Sequence, residues 1–182
     1  MAKMYLMCGL SGSGKTTFAK VFAKENNLFY LGIDEFYEWY NGDDNIRENT
    51  FEIWIEFFQA IHRAEQDGKS ILIDTNAPTY VDRVQILDWF PDFNEYHLIW
   101  INSTEELRFA NNRQRRRKIP DDVMDKMYLK FQPPINKNED KRWNSIRKIT
   151  NNDNSFYTFD WEREQNRDET NNILKEFFTN ED

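Results

Sequence analysis

Cysteine is nearly missing from this 182-residue chain. Cys8 is the sole one, so no disulfide and no cysteine metal cluster can form within it. Placed in an apolar run, Cys8 is expected to be a buried structural thiol. Six glycines and five prolines are too few for a fibrous or low-complexity chain. No apolar run approaches the length of a membrane span, which argues against a membrane partner. Positive charge is short as well: 24 Lys and Arg face 32 Asp and Glu, for a formal charge of -8. Such a balance disfavours nonspecific affinity for long polyanions, while leaving room for a local basic path to a nucleic-acid end. The N-terminus runs directly into a predicted strand and leaves no space for a secretion signal. These absences lead to the expectation of a soluble cytoplasmic protein with one domain, 1–182. Aromatic residues are abundant instead, at 16% of the chain, and their number has no evident cause in the sequence.

Three of the six glycines fall in one stretch of eight residues. Gly9, Leu10, Ser11, Gly12, Ser13, Gly14, Lys15 and Thr16 spell G-x-x-x-x-G-K-[ST] directly after the apolar run Met4-Tyr5-Leu6-Met7-Cys8. A strand delivers such a loop, and the segment from Thr17 to Asn26 reads as the amphipathic helix that must follow, with Phe18, Val21 and Phe22 on its apolar side. Backbone N–H groups of Gly9, Ser11, Gly12, Ser13, Gly14, Lys15, Thr16 and Thr17 at a helix N-terminus can surround a polyphosphate. Lys15 can bridge the terminal phosphates, and the Thr16 hydroxyl can ligate Mg2+. A nucleoside triphosphate is the expected ligand.

The rest of the chain alternates strand and helix patterns. Strands are expected at Leu28–Ile33, Ser70–Asp74, Glu95–Ile101 and Ile146–Ile149. Helices are expected over Thr50–Gln66, with Phe51, Trp54, Ile55, Phe58 and Ile61 inward, over Pro78–Trp89, from a Ser103 cap with Glu106 completing its capping box, from Pro120 to near Phe131, and over Asn171–Thr179. Residues Glu38–Glu48 read as an exposed loop, and the Asn-rich stretches 136–140 and 151–154 as turns. Alternation at this spacing predicts an α/β fold with a mostly parallel sheet, whose strand ends gather on one edge. Asp34, Asp74 and the glycine loop then share a crevice.

The acids there carry the chemistry. Asp34 can accept the proton of an incoming hydroxyl as the γ-phosphoryl moves, hold a Mg2+-bound water, or cap a turn. Glu35, one residue on, is expected to point away. Asp74 can reach the Mg2+ water shell or brace the loop, and Thr75 and Asn76 add polar groups, although Asn76 can equally cap the next helix. A GTPase fits poorly, because no glycine follows Asp74 two residues on. The guanine-reading pattern N-K-x-D is met only by Asn136-Lys137-Asn138-Glu139, with Glu in place of Asp. Adenine is the better reading.

Arg113-Gln114-Arg115-Arg116-Arg117-Lys118 is the strongest charge anomaly in an acidic chain. On a helix, Arg113 would share a face with Arg116 or Arg117 and meet one anion. Three readings compete: a lid that places an arginine on the transferring phosphoryl and excludes water, a contact to polynucleotide phosphates, or a solvated face.

Together these residues resemble the P-loop kinases related to the 5′-kinase domain of phage polynucleotide kinase, described as AAA-like ATP-binding proteins. The resemblance rests on Gly9 to Thr16, Asp34, Asp74 to Asn76 and the span NNRQRRRKIPDDVMDKMYLKFQPP from Asn111 to Pro134, and covers about residues 3–150. It implies a P-loop NTPase three-layer sandwich, with a five-stranded mostly parallel sheet, helices on both faces and a small helical lid near 108–131. It implies ATP and Mg2+ as cofactors, with Lys15 and Thr16 serving both. Asp34 becomes the base toward a 5′-hydroxyl, and arginines among Arg113, Arg115 and Arg116 grip phosphates. In the polynucleotide kinase an arginine three residues past the base contacts the substrate's 3′-side phosphate. That position is Tyr37 here, which can hydrogen-bond or stack but offers no bidentate cation. The acceptor is therefore either a polynucleotide 5′ end or a small hydroxylated metabolite, nucleoside or antibiotic. Other classes remain open: an ATP-binding switch or assembly ATPase, and a nonenzymatic nucleic-acid adaptor that would leave the glycine loop unexplained.

Overall fold

The structure is a computed structural model and describes residues 1–43, 46–135, 139–154 and 158–161. The expected helix at 171–179 and part of the expected turn at 136–140 lie outside these residues.

Alternating side chains on the first strand set up the layers. In β1 (Lys3–Cys8), Met4, Leu6 and Cys8 face one core, while Tyr5 and Met7 face another. Every one of these five is buried. Strands β3 (Ile71–Asp74) and β4 (Glu95–Ser103) follow the same rule, with Ile71, Ile73, Leu98 and Trp100 on the first face and Leu72, Ile99 and Ile101 on the second. Strands buried on both faces belong to a parallel sheet covered by helices. With β2 (Phe29–Gly32), β5 (Ser145–Asn151) and β6 (Thr158–Trp161) the sheet has the order β2-β3-β1-β4-β5-β6. The first five strands are all parallel, as expected, and β6 adds an antiparallel edge that the sequence reading did not include.

Helix α1 (Lys15–Glu25) packs on the second face through Phe18, Ala19, Phe22 and Ala23. Val21, expected inward, is exposed, because the buried stripe falls on the 18-19-22-23 positions. On the first face lie α3 (Thr50–Gln66) and α4 (Tyr80–Trp89). The bounds of α3 match the expectation, but its buried stripe is Ile53, Phe57, Ile61 and Ala64, while Phe51 and Ile55 are exposed and Trp54 and Phe58 only partly covered. This helix carries apolar residues on two adjacent stripes, and contact with the sheet selected between them. Thr79 caps α4 in a reciprocal capping box with Asp82, so Asn76 is not the cap.

Two further elements depart from expectation. Strand β2 stops at Gly32, and Ile33 opens helix α2 (Ile33–Asn41), which ends at Gly42 in the left-handed region. Asp34 and Glu35 fall in its first turn, where carboxylates suit the helix dipole. The expected loop from Glu38 is helical for its first turn. Helix α5 (Glu105–Gln114) is capped by Thr104 instead of Ser103, which remains in β4. After α5, helix α6 (Asp121–Lys130) starts behind Pro120 and stops at Phe131, as read.

Candidate functional site

The glycine loop between β1 and α1 is shaped by conformations that only glycine takes without strain. Gly12 has φ +81°, and a Cβ there would collide with the Arg108 carbonyl oxygen of α5. Gly14, at φ 94°, is the N-cap of α1. Two loop carbonyls are held by asparagine amides. Asn111 Nδ2 donates to the Gly12 oxygen at 2.8 Å, and Asn151 Nδ2 to the Ser13 oxygen at 2.8 Å. Asn154 joins both, exchanging hydrogen bonds with Asn111 at 3.0 and 3.1 Å and accepting from Asn151 at 3.2 Å. These bonds hold the carbonyl oxygens against α5 and β5. The asparagines escaped the sequence reading, in which 151–154 was only a turn; a run of three Asn in four residues after a strand was the available signal.

Lys15, Thr16 and Ser11 line a cavity of about 840 Å³. Lys15 is buried, and its Nζ donates to the Leu10 oxygen at 3.1 Å. Burial pushes its pKa down, opposed first by the Asp74 carboxylate, with Arg115 and Asp34 also close enough to act. Ser13 is wholly buried, and its hydroxyl finds no partner among the described residues. Thr17, expected beside the nucleotide, is exposed on α1 and outside the cavity wall, since it lies beyond the loop's inner turn.

Both acids stand in the same wall. Register pairs Gly32 with Asp74 across β2 and β3, so the chain leaving β2 toward Asp34 runs beside Asp74. Asp74 is buried and accepts from the Tyr30 hydroxyl at 3.0 Å. Burial and this carboxylate both push the Tyr30 pKa up, so the phenol stays protonated as a donor. Beyond Asp74, Thr75 and Asn76 line the cavity, and Ala77 takes φ 35°, an unusual value for a residue with a Cβ. Its carbonyl is fastened by Arg83 Nη1 at 3.2 Å and by the Cys8 thiol at 3.6 Å. Cys8 is fully buried, as expected, and burial pushes its pKa up to about 11, which keeps it a thiol. Arg83 in turn forms a wholly buried ion pair with Glu139, so that acid is committed to the core and reads no base.

The basic segment is not one helix. Helix α5 ends at Gln114, and Arg115 is extended at φ -69°, ψ 148°. Asn112 ties the turn by bonding both the oxygen and the N–H of Ile119, at 2.7 and 3.0 Å. This geometry brings Arg115, Arg116 and Arg117 into the cavity wall and leaves Arg113 on α5 outside it. The expected sharing of a face by Arg113 with Arg116 or Arg117 therefore does not occur. Arg116 pairs with Asp43 at 2.7 Å, and Arg117 lies 3.7 Å from Asp34. From α6, Met127 touches the Ser11 hydroxyl at 3.4 Å, closing this side over the glycine loop.

One cation was missed altogether. Arg47 enters from the α2–α3 connection, pairs with Asp34 at 2.6 Å and stacks on the ring of Tyr37 at 3.9 Å. Tyr37 is itself buried and lines the cavity. Trp54, Phe58 and Trp89 complete the aromatic wall, while Phe36 packs on Phe57 in the core and exposed Trp39 stays outside the wall.

Among the described residues no group of three His, Cys, Asp or Glu could hold a metal by itself. Thr16 and Asp74 in one wall still suit Mg2+, which keeps most of its shell as water and phosphate oxygen. No helix among the described residues is long and apolar enough to cross a membrane.

Comparison with known proteins bears on the fold and the family. The chain is 27% identical over 144 residues to L-seryl-tRNA(Sec) kinase of Methanococcus maripaludis, covering 72% of this chain and 53% of that protein, so it spans about half the length of this curated relative. Its fold is similar to that of a sugar kinase from Janibacter sp. HTCC2649, with TM-score 0.59 and 17% identity over 84% of this chain and 86% of the other. It is similar also to a chain of the Pnkp1/Rnl/Hen1 RNA repair complex, with TM-score 0.62 and 20% identity over 71% of this chain and 43% of that one. Over residues 4–134, which span the phosphate loop and the first four strands of the parallel core, the chain matches the AAA domain family (AAA_33), and it belongs to that family.

Proposed function

We propose that this protein is an ATP-dependent phosphotransferase that moves the γ-phosphoryl group to a hydroxyl. The observation that carries this reading is the shared cavity, whose wall holds Lys15 and Thr16, Asp34 and Asp74, and Arg115 to Arg117. The loop from Gly9 to Thr16 would bind the triphosphate, with Lys15 on the terminal phosphates and Arg115 neutralising charge that develops there. Thr16 and Asp74 would hold Mg2+ and its waters, and the ion would supply further charge neutralisation between the phosphates. Asp34 takes the acceptor's proton, the acceptor oxygen bonds to the γ-phosphorus, and the bond to the bridging oxygen breaks to release ADP. Both cations near Asp34 sit at Oδ1, so Oδ2 is the oxygen offered to the acceptor. The segment 108–131 would act as the lid that excludes water, with Arg115 to Arg117 in the roles expected of Arg113, Arg115 and Arg116.

For the acceptor, a small hydroxylated molecule is favoured. A cavity of about 840 Å³ walled by Tyr37, Trp54, Phe58 and Trp89 is of small-molecule size. A polynucleotide 5′-hydroxyl is the second reading, favoured by Arg117 at 3.7 Å from Asp34 and by Arg116 in the same cavity wall. Incubation with γ-labelled ATP against hydroxylated metabolites, nucleosides and 5′-hydroxyl RNA and DNA tests both. Label on an acceptor supports transfer, and free phosphate alone would instead make the protein an ATPase.

A further inference from the structure

Arg47 has no role in the chemistry just described, yet it occupies the acceptor side of the cavity. We infer that Arg47 is the specificity residue for the acceptor, and that the acceptor carries an anionic group, phosphate or carboxylate, next to its reactive hydroxyl. This rests on the phosphotransferase reading above.

Three features of the side chain support the assignment. Its guanidinium lies 3.9 Å over the Tyr37 ring, and that ring is buried, so the plane of the fork is set before any ligand arrives. Its Nε is buried and has no hydrogen-bond partner among the described residues, an incomplete donor set for a group that can present five N–H bonds. Among the described residues its ion pair is with Asp34, whose side chain is 56% exposed. An ion pair that open to water is weak and exchanges readily for a better partner. A carboxylate or phosphate can take the fork through two oxygens while the hydroxyl beside it reaches Asp34.

Of the other acids in the wall, Glu35 is paired with Lys20 at 2.7 Å, Asp82 is used by the α4 cap and Asp74 accepts from Tyr30, while Glu38 also lines it. Arg117, 3.7 Å from the same Asp34 oxygen, keeps that carboxylate paired when Arg47 turns to the ligand.

Matched probes test the assignment: thymidine 3′-monophosphate against thymidine, and gluconate against glucitol. Binding is followed by quenching of tryptophan fluorescence, since Trp54 and Trp89 line the cavity, so the readout needs no turnover. The anionic member of at least one pair should bind about tenfold more tightly than its neutral partner. The pair that discriminates tells phosphate from carboxylate. Arg47→Ala should abolish the preference while leaving affinity for ATP unchanged, and Arg47→Lys should restore only part of it. Urea unfolding of both variants verifies that they are folded. Equal binding within both pairs, or a preference that survives in Arg47→Ala, overturns the assignment. If label transfer fails while the preference holds, the phosphotransferase reading falls and the anion site stands.

Discussion

At the scale of single residues, the chemistry depends on which groups hold a charge inside the cavity. Lys15 is buried and yet lies beside Asp74, which offsets the cost of keeping an ammonium out of water. Asp34 is more open, with a side chain 56% exposed and both ion pairs recorded among the described residues at Oδ1. Asp34→Asn keeps the shape and removes the proton acceptor, so label transfer should fall by about 10²–10⁴-fold, the usual contribution of a positioned base. Affinity for ATP should stay within about twofold in an equilibrium titration, because the loop and Lys15 carry that binding. A matching loss of nucleotide affinity would instead make Asp34 part of the metal shell. The sequence showed the phosphate loop and Asp74 because each follows an apolar strand at a readable boundary, and it pointed to Asp34 although the strand before it ends earlier, at Gly32. It hid Arg47, because nothing in the spacing of residues 34, 37 and 47 announces that a loop folds back onto Tyr37. It misled at Arg113, because the end of α5 at Gln114 is set by the turn that Asn112 ties.

At the scale of elements, the loop, the turn after β5 and helix α5 form one mechanical unit. Asn151 is wholly buried and holds the Ser13 carbonyl, while Asn111 reaches the neighbouring carbonyl from α5. Asn151→Ala leaves that buried carbonyl without its donor, at a cost of about 1–3 kcal/mol. The expected result is an ATP affinity lowered roughly tenfold, read by titration with a fluorescent ATP analogue, with the acceptor KM unchanged. An unchanged ATP affinity would remove the asparagines from the phosphate site. Helix α2 is the element whose placement mattered most. An expected strand ending at Asp34 became a helix beginning at Ile33, which puts Asp34 on a rigid first turn. Local composition did not decide this, since Phe, Tyr and Trp in that segment suit a strand as well as a helix. Packing against α3 did.

At the scale of the whole molecule, two buried polar features govern stability. Arg83 and Glu139 pair inside the core, and Arg83 also anchors Ala77 at the cavity edge. Arg83→Met strands the Glu139 carboxylate and should cost about 3–5 kcal/mol in urea unfolding, whereas Arg83→Met with Glu139→Leu should recover much of that loss. His97 is the second. Burial holds its pKa down at about 4, against the pull of its hydrogen bond to Glu95, and the ring stacks on Tyr5 at 4.6 Å. The unfolded chain then binds a proton near pH 6.5 that the folded protein refuses until about pH 4. His97 therefore contributes stability above pH 6.5 that is lost as the pH falls toward 4, on the order of 2 kcal/mol. Unfolding curves at pH 7 and pH 4.5 should show this loss, and His97→Gln should diminish it. An equal loss in the variant would assign the acid sensitivity to the carboxylates.

The sequence by itself determined the phosphate loop, the alternation of strands with helices and the parallel core of the sheet. Those are local matters: backbone freedom at Gly9, Gly12 and Gly14, and unbroken apolar strands that no solvent-facing sheet would tolerate. Only the tertiary structure decided which stripe of α3 is buried, that β6 closes the sheet edge, and which arginines meet the cavity. Each of these depends on surfaces brought together from distant segments, where long-range packing chooses among alternatives that the local pattern leaves nearly equal in energy.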